Sequence, residues 1–272
     1  MSDVDVATLE ATSKQIRRDI IDMIHTAGSG HPGGSLSATD VMTALYFNIA
    51  NIDPKDPKKA NRDRIIYSKA HVTPLIYALL ARRGFFDTDI LSTFRKFNSP
   101  LQGHPHINCL PGIESSGGSL GQGISVAVGL ALSAKLDKAD WRVYCLTGDG
   151  EHQEGEVWEA YMSAAHYKLD NLTVIIDKNN LEIDGPTSEV MNVDPLDEKL
   201  KSFGFEVFVV DGHDMGSVLE AFNKAKQIKG KPQAIIANTI KGKGVSFMEN
   251  EAGWHGKAPS AEEKELAIKE LE

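Results

Sequence analysis

The apolar positions of the chain change period along its length, and each change marks an element. Over residues 5–27, Ile16, Ile20, Ile21 and Ile24 recur at helical spacing while Arg17, Arg18 and Asp22 take the other face, which predicts an amphipathic helix. "GSGHPGG" (28–34) ends it, and a second helix is expected from Ser37 to Ala50, before the solvated loop "NIDPKDPKKANRD". "RIIYS" (64–68) reads as a short strand. "VTPLIYALLARRG" reads as a helix with Pro74 in its first turn and Gly84 beyond its end. Residues 94–123 carry no period, and "ISVAVGLALSAKL" (124–136) is a helix of small and apolar residues suited to the interior.

From residue 142 the apolar runs become short and unbroken. "RVYCLTG", "NLTVIID", "FEVFVVDG" and "PQAIIANT" read as strands, separated by the helices "EVWEAYMSAAHYKL", "LDEKLKSFG" and "MGSVLEAFNKAKQIKG"; a charged helix follows Ser260. Strands that alternate with helices and are apolar throughout predict an α/β fold, a parallel sheet with helices on both faces. No repeat or linker interrupts the pattern, so residues 1–272 are expected to form one domain, with the N-terminal helices packed on the sheet.

Composition narrows the function classes. Hydrophobic residues at 41% and charged residues at 25% are ordinary for a globular protein. A net charge of -9 offers no basic footprint for nucleic acid or an anionic membrane. No apolar run approaches the about 18 residues of a membrane span. "MSDVDVATLE" lacks the basic-then-apolar order of a signal peptide, and Cys109 and Cys145 have no metal spacing, so a reduced, cytoplasmic setting is expected.

Candidate chemistry sits where strands should end, because ligands of parallel sheets collect at the carboxyl edge. Gly148-Asp149-Gly150 follows one strand, and "DKNNLEIDG" follows the next, with 28 residues between the GDG and the Asn179-Asn180 pair. One strand–helix–strand unit takes about that length, so the two turns can lie side by side. A GDG alone is most often a tight turn, and NN alone a loop. Together they bring an aspartate oxygen, an amide oxygen and a backbone carbonyl into reach, a hard-oxygen set that suits Mg²⁺ bound to phosphate. Gly150 would let a diphosphate approach, and the helix beginning near Gly155 would aim its positive end that way. His31 and His104 each sit in a "GHP" turn that fixes the ring, and histidine suits proton movement at sugar hydroxyls near neutral pH. "GSGHPG" also matches a dinucleotide fingerprint, but a helical period precedes it where a strand is required. "TIKGKG" (239–244) reads equally as a phosphate-binding lysine pair or a solvated turn.

The GDG–NN pair resembles the motif of thiamine-diphosphate enzymes. "GSGHPGGSLS", "KAHVTPLIYALL", "GHPHINCLPGIESSGGSLGQGIS", "GDGEHQEGEVWEA", "NNLEIDG" and "GWHGKAP" narrow the resemblance to the diphosphate-binding half of transketolases, over about residues 10–260. The resemblance implies thiamine diphosphate and Mg²⁺ (or Ca²⁺ or Mn²⁺) as cofactors, with Asp149, Asn179 and the Leu181 carbonyl as metal ligands. It implies that Gly117, Gly118 and Gly150 lie against the cofactor, that Ile183 and Ile240 pack on its rings, and that His71 and His255 contact the diphosphate. His31, His104 and His255 would line the substrate channel, and Glu154 would link paired active sites. His106 is left as a surface residue; His25, His152, His166 and His213 are given no role.

Transketolases carry the glutamate that activates the cofactor pyrimidine on a second α/β domain, and no second strand–helix pattern follows here. The resemblance therefore implies the N-terminal subunit of a split transketolase, paired with a C-terminal, pyrimidine-binding subunit in a heterotetramer and transferring a two-carbon ketol unit between sugar phosphates. Related possibilities are a split transketolase for a pathway-specific sugar phosphate, a 1-deoxyxylulose-5-phosphate synthase-like enzyme, and a non-catalytic thiamine-diphosphate-binding protein.

Overall fold

Five strands, β1 (Arg64–Tyr67), β2 (Val143–Gly148), β3 (Leu172–Lys178), β4 (Glu206–Asp211) and β5 (Gln233–Asn238), form an all-parallel sheet in the order β1-β2-β3-β5-β4. The computed structural model describes residues 4–272. Helices α1 (Val6–Ala27), α2 (Pro32–Ser37), α3 (Thr39–Ala44) and α4 (Thr73–Arg83) precede most of the sheet. Then come α5 (Gln122–Leu136), α6 (Gly155–His166), the short α7 (Thr187–Val190), α8 (Leu196–Phe203), α9 (Met215–Gln227) and α10 (Ala261–Glu270).

The unbroken apolar strands are explained by two buried clusters, one on each face. Tyr144 and Leu146 of β2, Ile175 of β3 and Ile235 of β5 face α1, α3, α4 and α9. Their neighbours Val143, Cys145, Val174, Ile176 and Ile236 face α5, α6 and α8. Successive side chains of a strand point to opposite faces, so a strand covered on both sides is apolar at most positions. β4 lies at the edge and is the least buried strand, with Val209 52% exposed.

The N-terminal region departs from the sequence reading in two places. The chain does not wait until Ser37 to become helical again: α2 starts at Pro32, whose fixed φ suits a first helical position. A break at Ala38 then separates α2 from α3, and the chain continues through a widened turn in which the Ala50 N–H reaches the Leu45 carbonyl at 2.8 Å. The hydroxyls of Ser35 and Thr39 fold back onto the carbonyls four residues earlier, which bends helices at such points.

Arg17, expected on the solvent face of α1, is buried. Its guanidinium makes paired bonds of 2.9 and 2.7 Å to Asp40 of α3, and His213 Nδ1 lies 2.8 Å from the same carboxylate. Burial alone would raise the Asp40 pKa, but Arg17 and His213 outweigh it and hold it at about 2. Because the folded value lies below the unfolded one, this stabilisation is fully present above about pH 4 and is lost as pH falls toward 2. Its scale is about 2 kcal/mol. Asp40→Asn should therefore lower the urea midpoint clearly at pH 6, with the gap to the parent chain closing near pH 2.5.

Candidate functional site

The carboxyl ends of β1, β2, β3 and β5 and the turns around His31 and His255 surround one cleft of about 310 Å³. Of the expected site residues, His31, His71, Asp149, Gly150, Glu154, Asn179, Leu181, Ile183 and His255 line it. The other four lie beside or behind it. His104 is exposed on its loop, with Gly118 against its ring, 3.8 Å from where a Cβ would sit. Gly117 is packed so closely on Ala70 that a Cβ would lie 2.7 Å from it. Ile240 is fixed from behind, its N–H donated to His213 Nε2 at 2.9 Å.

Asp149 closes β2. Its carboxylate is 2% exposed and accepts the N–H of Gly150 at 2.9 Å and of Asn180 at 2.5 Å, with no cationic side chain bonded to it. Burial and the nearby Asp177 carboxylate push its pKa up to about 6. The next residues wind as a tight turn (Gly150–Gln153), and α6 begins at Gly155 with Glu154 in its N-cap position. Asn179 Oδ1 accepts the Leu181 N–H at 3.1 Å, while its Nδ2 donates to Asp177 Oδ2 at 3.2 Å. That network sets which end of the amide faces the cleft. Among the described residues no three His, Cys, Asp or Glu side chains converge to hold a metal. A cation here would rest on the Asp149 carboxylate, an amide oxygen and a carbonyl, a donor set that fits Mg²⁺ or Ca²⁺ and does not suit softer ions.

Three imidazoles and the ammonium groups of Lys69 and Lys241 also line the cleft. The rings of His31, His71 and His255 lie 5.1 to 5.5 Å apart, centroid to centroid. Burial comes first in holding all three below the usual histidine range, His31 at about 4 and His255 at about 3. Neighbouring cations add to it: Arg95 for His31, Lys69 for His71, Lys241 for His255. His31 Nδ1 is buried with no hydrogen-bond partner. Asp149, Glu154 and Glu182 thus share the cleft with the three histidines, and Lys241 bridges the two groups, its Nζ 3.2 Å from the Glu182 carbonyl and 3.1 Å from His255 Nδ1.

Several organising residues escaped the sequence reading. Lys69 Nζ and Ser37 Oγ both donate to Asp177 Oδ2 at 2.6 Å, and Thr239 Oγ1 donates to Asp177 Oδ1, so one carboxylate ties α2 to the ends of β1, β3 and β5. Glu151 accepts from Ser68 Oγ and from the N–H groups of Gly121 and Gly148, tying the GDG turn to the start of α5. Gly123 allows that approach, since a Cβ there would lie 2.5 Å from the Ser68 Cα. A local signal existed for Asp177: it is a carboxylate at the end of β3, two positions before Asn179. His152 is structural, its ring nitrogens 2.8 Å from the Gly148 carbonyl and 2.7 Å from the Tyr161 hydroxyl. The "TIKGKG" lysines separate: Lys241 is buried in the cleft wall, while Lys243 turns away to Glu249 at 3.5 Å. The dinucleotide reading fails, since a helix and no strand precedes Gly28.

Fold and cleft define the class as an α/β protein with a doubly covered parallel sheet and a polar ligand cleft at its carboxyl edge. Residues 9–271 match the family described as transketolase, thiamine diphosphate binding domain. The chain is 43% identical over 268 residues to one of the subunits of an apulose-4-phosphate transketolase from Phocaeicola vulgatus, covering 98% of this chain and 95% of that protein. It is 40% identical to the 6-deoxy-6-sulfo-D-fructose transketolase subunit SqwG of a Clostridium species, covering 97% of this chain and 96% of that one. The crystal structure of transketolase from Campylobacter jejuni superposes with a TM-score of 0.92 at 34% identity, over 98% of this chain and 43% of the longer one. The chain belongs to the transketolase family, in its thiamine-diphosphate-binding domain. It spans nearly the whole of the two matched subunits, but only about two-fifths of the solved transketolase.

Proposed function

We propose that this chain is the diphosphate-binding subunit of a two-subunit transketolase, holding thiamine diphosphate through a divalent cation and completing its active site with a separate pyrimidine-binding subunit. The observation that carries this reading is the make-up of the cleft: the Asp149 carboxylate with the Asn179 and Leu181 oxygens shares one cavity with three imidazoles and the Lys241 ammonium. A cation on the Asp149 carboxylate and a diphosphate beside the imidazoles would satisfy both. Asp149, the Asn179 amide oxygen and the Leu181 carbonyl would hold the cation, with Gly150 alongside. His71 and His255 would meet the diphosphate, and Glu154, Ile183, Gly117, Gly118 and Ile240 would border the cofactor.

When bound, the cofactor supplies the electron sink for breaking and remaking a carbon–carbon bond. The chain's own groups place substrate and move protons. His31 and His255 are neutral at working pH and offer hydrogen bonds to sugar hydroxyls, the His31 Nδ1 being still unpaired. His104, exposed on its loop, would exchange protons at the channel rim. His104→Ala should leave cofactor affinity nearly unchanged by calorimetry while lowering kcat of the reconstituted enzyme by roughly 10²-fold or more.

The partner and the substrates extend the same reading. Relatives matched over nearly their whole length are named as subunits, and their names specify apulose-4-phosphate and a sulfo-sugar. These names favour a pathway-specific sugar over the general pentose phosphates. Supplying a purified C-terminal partner and following ketol transfer from a ketose phosphate tests the proposal. The chain alone should show no turnover; activity without a partner would overturn the two-subunit reading.

A further inference from the structure

Lys241 has an environment that the proposed roles of its neighbours do not explain. It is 1% exposed, follows β5, and points into the cleft wall. Its stem runs against the bare backbone of Gly33, where a Cβ would lie 3.0 Å from Lys241 Cγ. Its Nζ has three neighbours at hydrogen-bond distance: the Leu181 carbonyl at 3.3 Å, the Glu182 carbonyl at 3.2 Å and His255 Nδ1 at 3.1 Å.

We propose that Lys241 is a positioning residue, whose ammonium spans the carbonyls of residues 181 and 182 and fixes His255 as the tautomer that carries its proton on Nε2. An ammonium has three N–H donors and no lone pair, and the two carbonyls can only accept. The third N–H must then go to His255 Nδ1, which can take it only if that nitrogen bears no proton. A neutral imidazole so held keeps its single proton on Nε2, as a donor on a residue that lines the cleft. Burial and Lys241 itself both disfavour a charged His255, which supports the neutral ring.

The same ammonium joins three segments distant in sequence. Residues 181 and 182 belong to a short hairpin closed by the Leu181–Pro186 bridge and the Glu182 N–H bond to the Gly185 carbonyl at 2.9 Å. Lys241 belongs to the loop after β5, and His255 follows a tight turn over Ala252–Trp254. In the cofactor-free chain one buried charge therefore links the hairpin to His255. Burial and the nearby Lys69 lower its pKa to about 8 while the carboxylates of Asp149, Asp177 and Glu182 oppose that, so Lys241 carries its charge at pH 7. The functional weight of this arrangement rests on the proposed cofactor site, but the tautomer itself does not.

The test is long-range ¹H–¹⁵N correlation of the whole cofactor-free chain labelled with ¹⁵N-histidine, with His255 assigned by comparison with His255→Gln. In the parent chain at pH 7, His255 Nδ1 should resonate as an unprotonated nitrogen and Nε2 as a protonated one. In Lys241→Met, which keeps the stem and removes the donors, the two resonances should move toward each other as the second tautomer becomes populated. A protonated Nδ1 in the parent overturns the proposal, and this arm needs no variant to fold. An unchanged His255 pattern in a folded Lys241→Met chain, checked by thermal melting, overturns it as well. Failure of the chain to bind thiamine diphosphate would count against the proposed function and leave the tautomer result standing.

Discussion

Asp149→Ala should abolish measurable Mg²⁺-dependent binding of thiamine diphosphate while leaving the chain folded. Asp149 is the one carboxylate of the expected donor set; Asn179 and Leu181 contribute only neutral oxygens. Altering groups that merely support a metal ligand commonly costs 10- to 100-fold in metal affinity, so loss of the anionic ligand itself should exceed about 100-fold. The fold should tolerate the change. Burial and Asp177 push the Asp149 pKa up to about 6, so its removal relieves repulsion that offsets the lost bonds from the Gly150 and Asn180 N–H groups. Titration calorimetry at fixed Mg²⁺, beside a thermal melt, separates the two effects. Parent-like affinity in Asp149→Ala would dismiss the metal role.

Lys69→Met should unfold the chain at a much lower temperature. Lys69 and Asp177 form a buried ion pair at 2.6 Å, their side chains 4% and 1% exposed. Burial alone would raise the Asp177 pKa, and Lys69 is the main influence holding it below the ordinary value. Removing one partner of such a pair leaves a bare buried charge and costs roughly 3–5 kcal/mol. At about 2–4 °C per kcal/mol for a chain of this size, the Tm should fall by roughly 10 °C. The double variant Lys69→Met/Asp177→Leu should recover only part of that, since it removes the bare charge but leaves the buried Ser37 and Thr239 hydroxyls without their acceptor. It should not recover cofactor affinity, because Asn179 Nδ2 would lose its acceptor and the amide would be free to turn. A double variant that binds cofactor as the parent does would show that Asp177 does not orient Asn179.

The central strands were legible because they advertise their burial locally: residues 172–177 include no polar residue on either face except Thr173 and the terminal aspartate, whereas the equally apolar β4 lies half-exposed at the edge. The Asp149–Asn179 pairing was legible because one strand–helix–strand unit fixes the spacing between adjacent turns, and Gly148 indeed pairs with Asp177 in register. The N-terminal helices were read less well. Proline and two glycines looked like a stop at residues 32–34, but the chain winds there so that Gly33 and Gly34 can lie against Lys241 and Lys69. Arg17 sits where a helical wheel assigns solvent, and only the arrival of α3 and His213 makes its burial favourable.

By its own pattern the sequence determined the α/β class, the parallel strands and the two turns that face each other at the carboxyl edge, because periodicity and spacing act over one or two neighbouring elements. Tertiary structure decided which histidines converge, which of the two lysines at 241 and 243 enters the cleft, and which way the Asn179 amide points. Those outcomes depend on partners such as Lys69 and Asp177, 108 positions apart, and on β5 inserting between β3 and β4. A buried charge is tolerated only where a distant counter-charge reaches it, and no local pattern along the chain encodes that meeting.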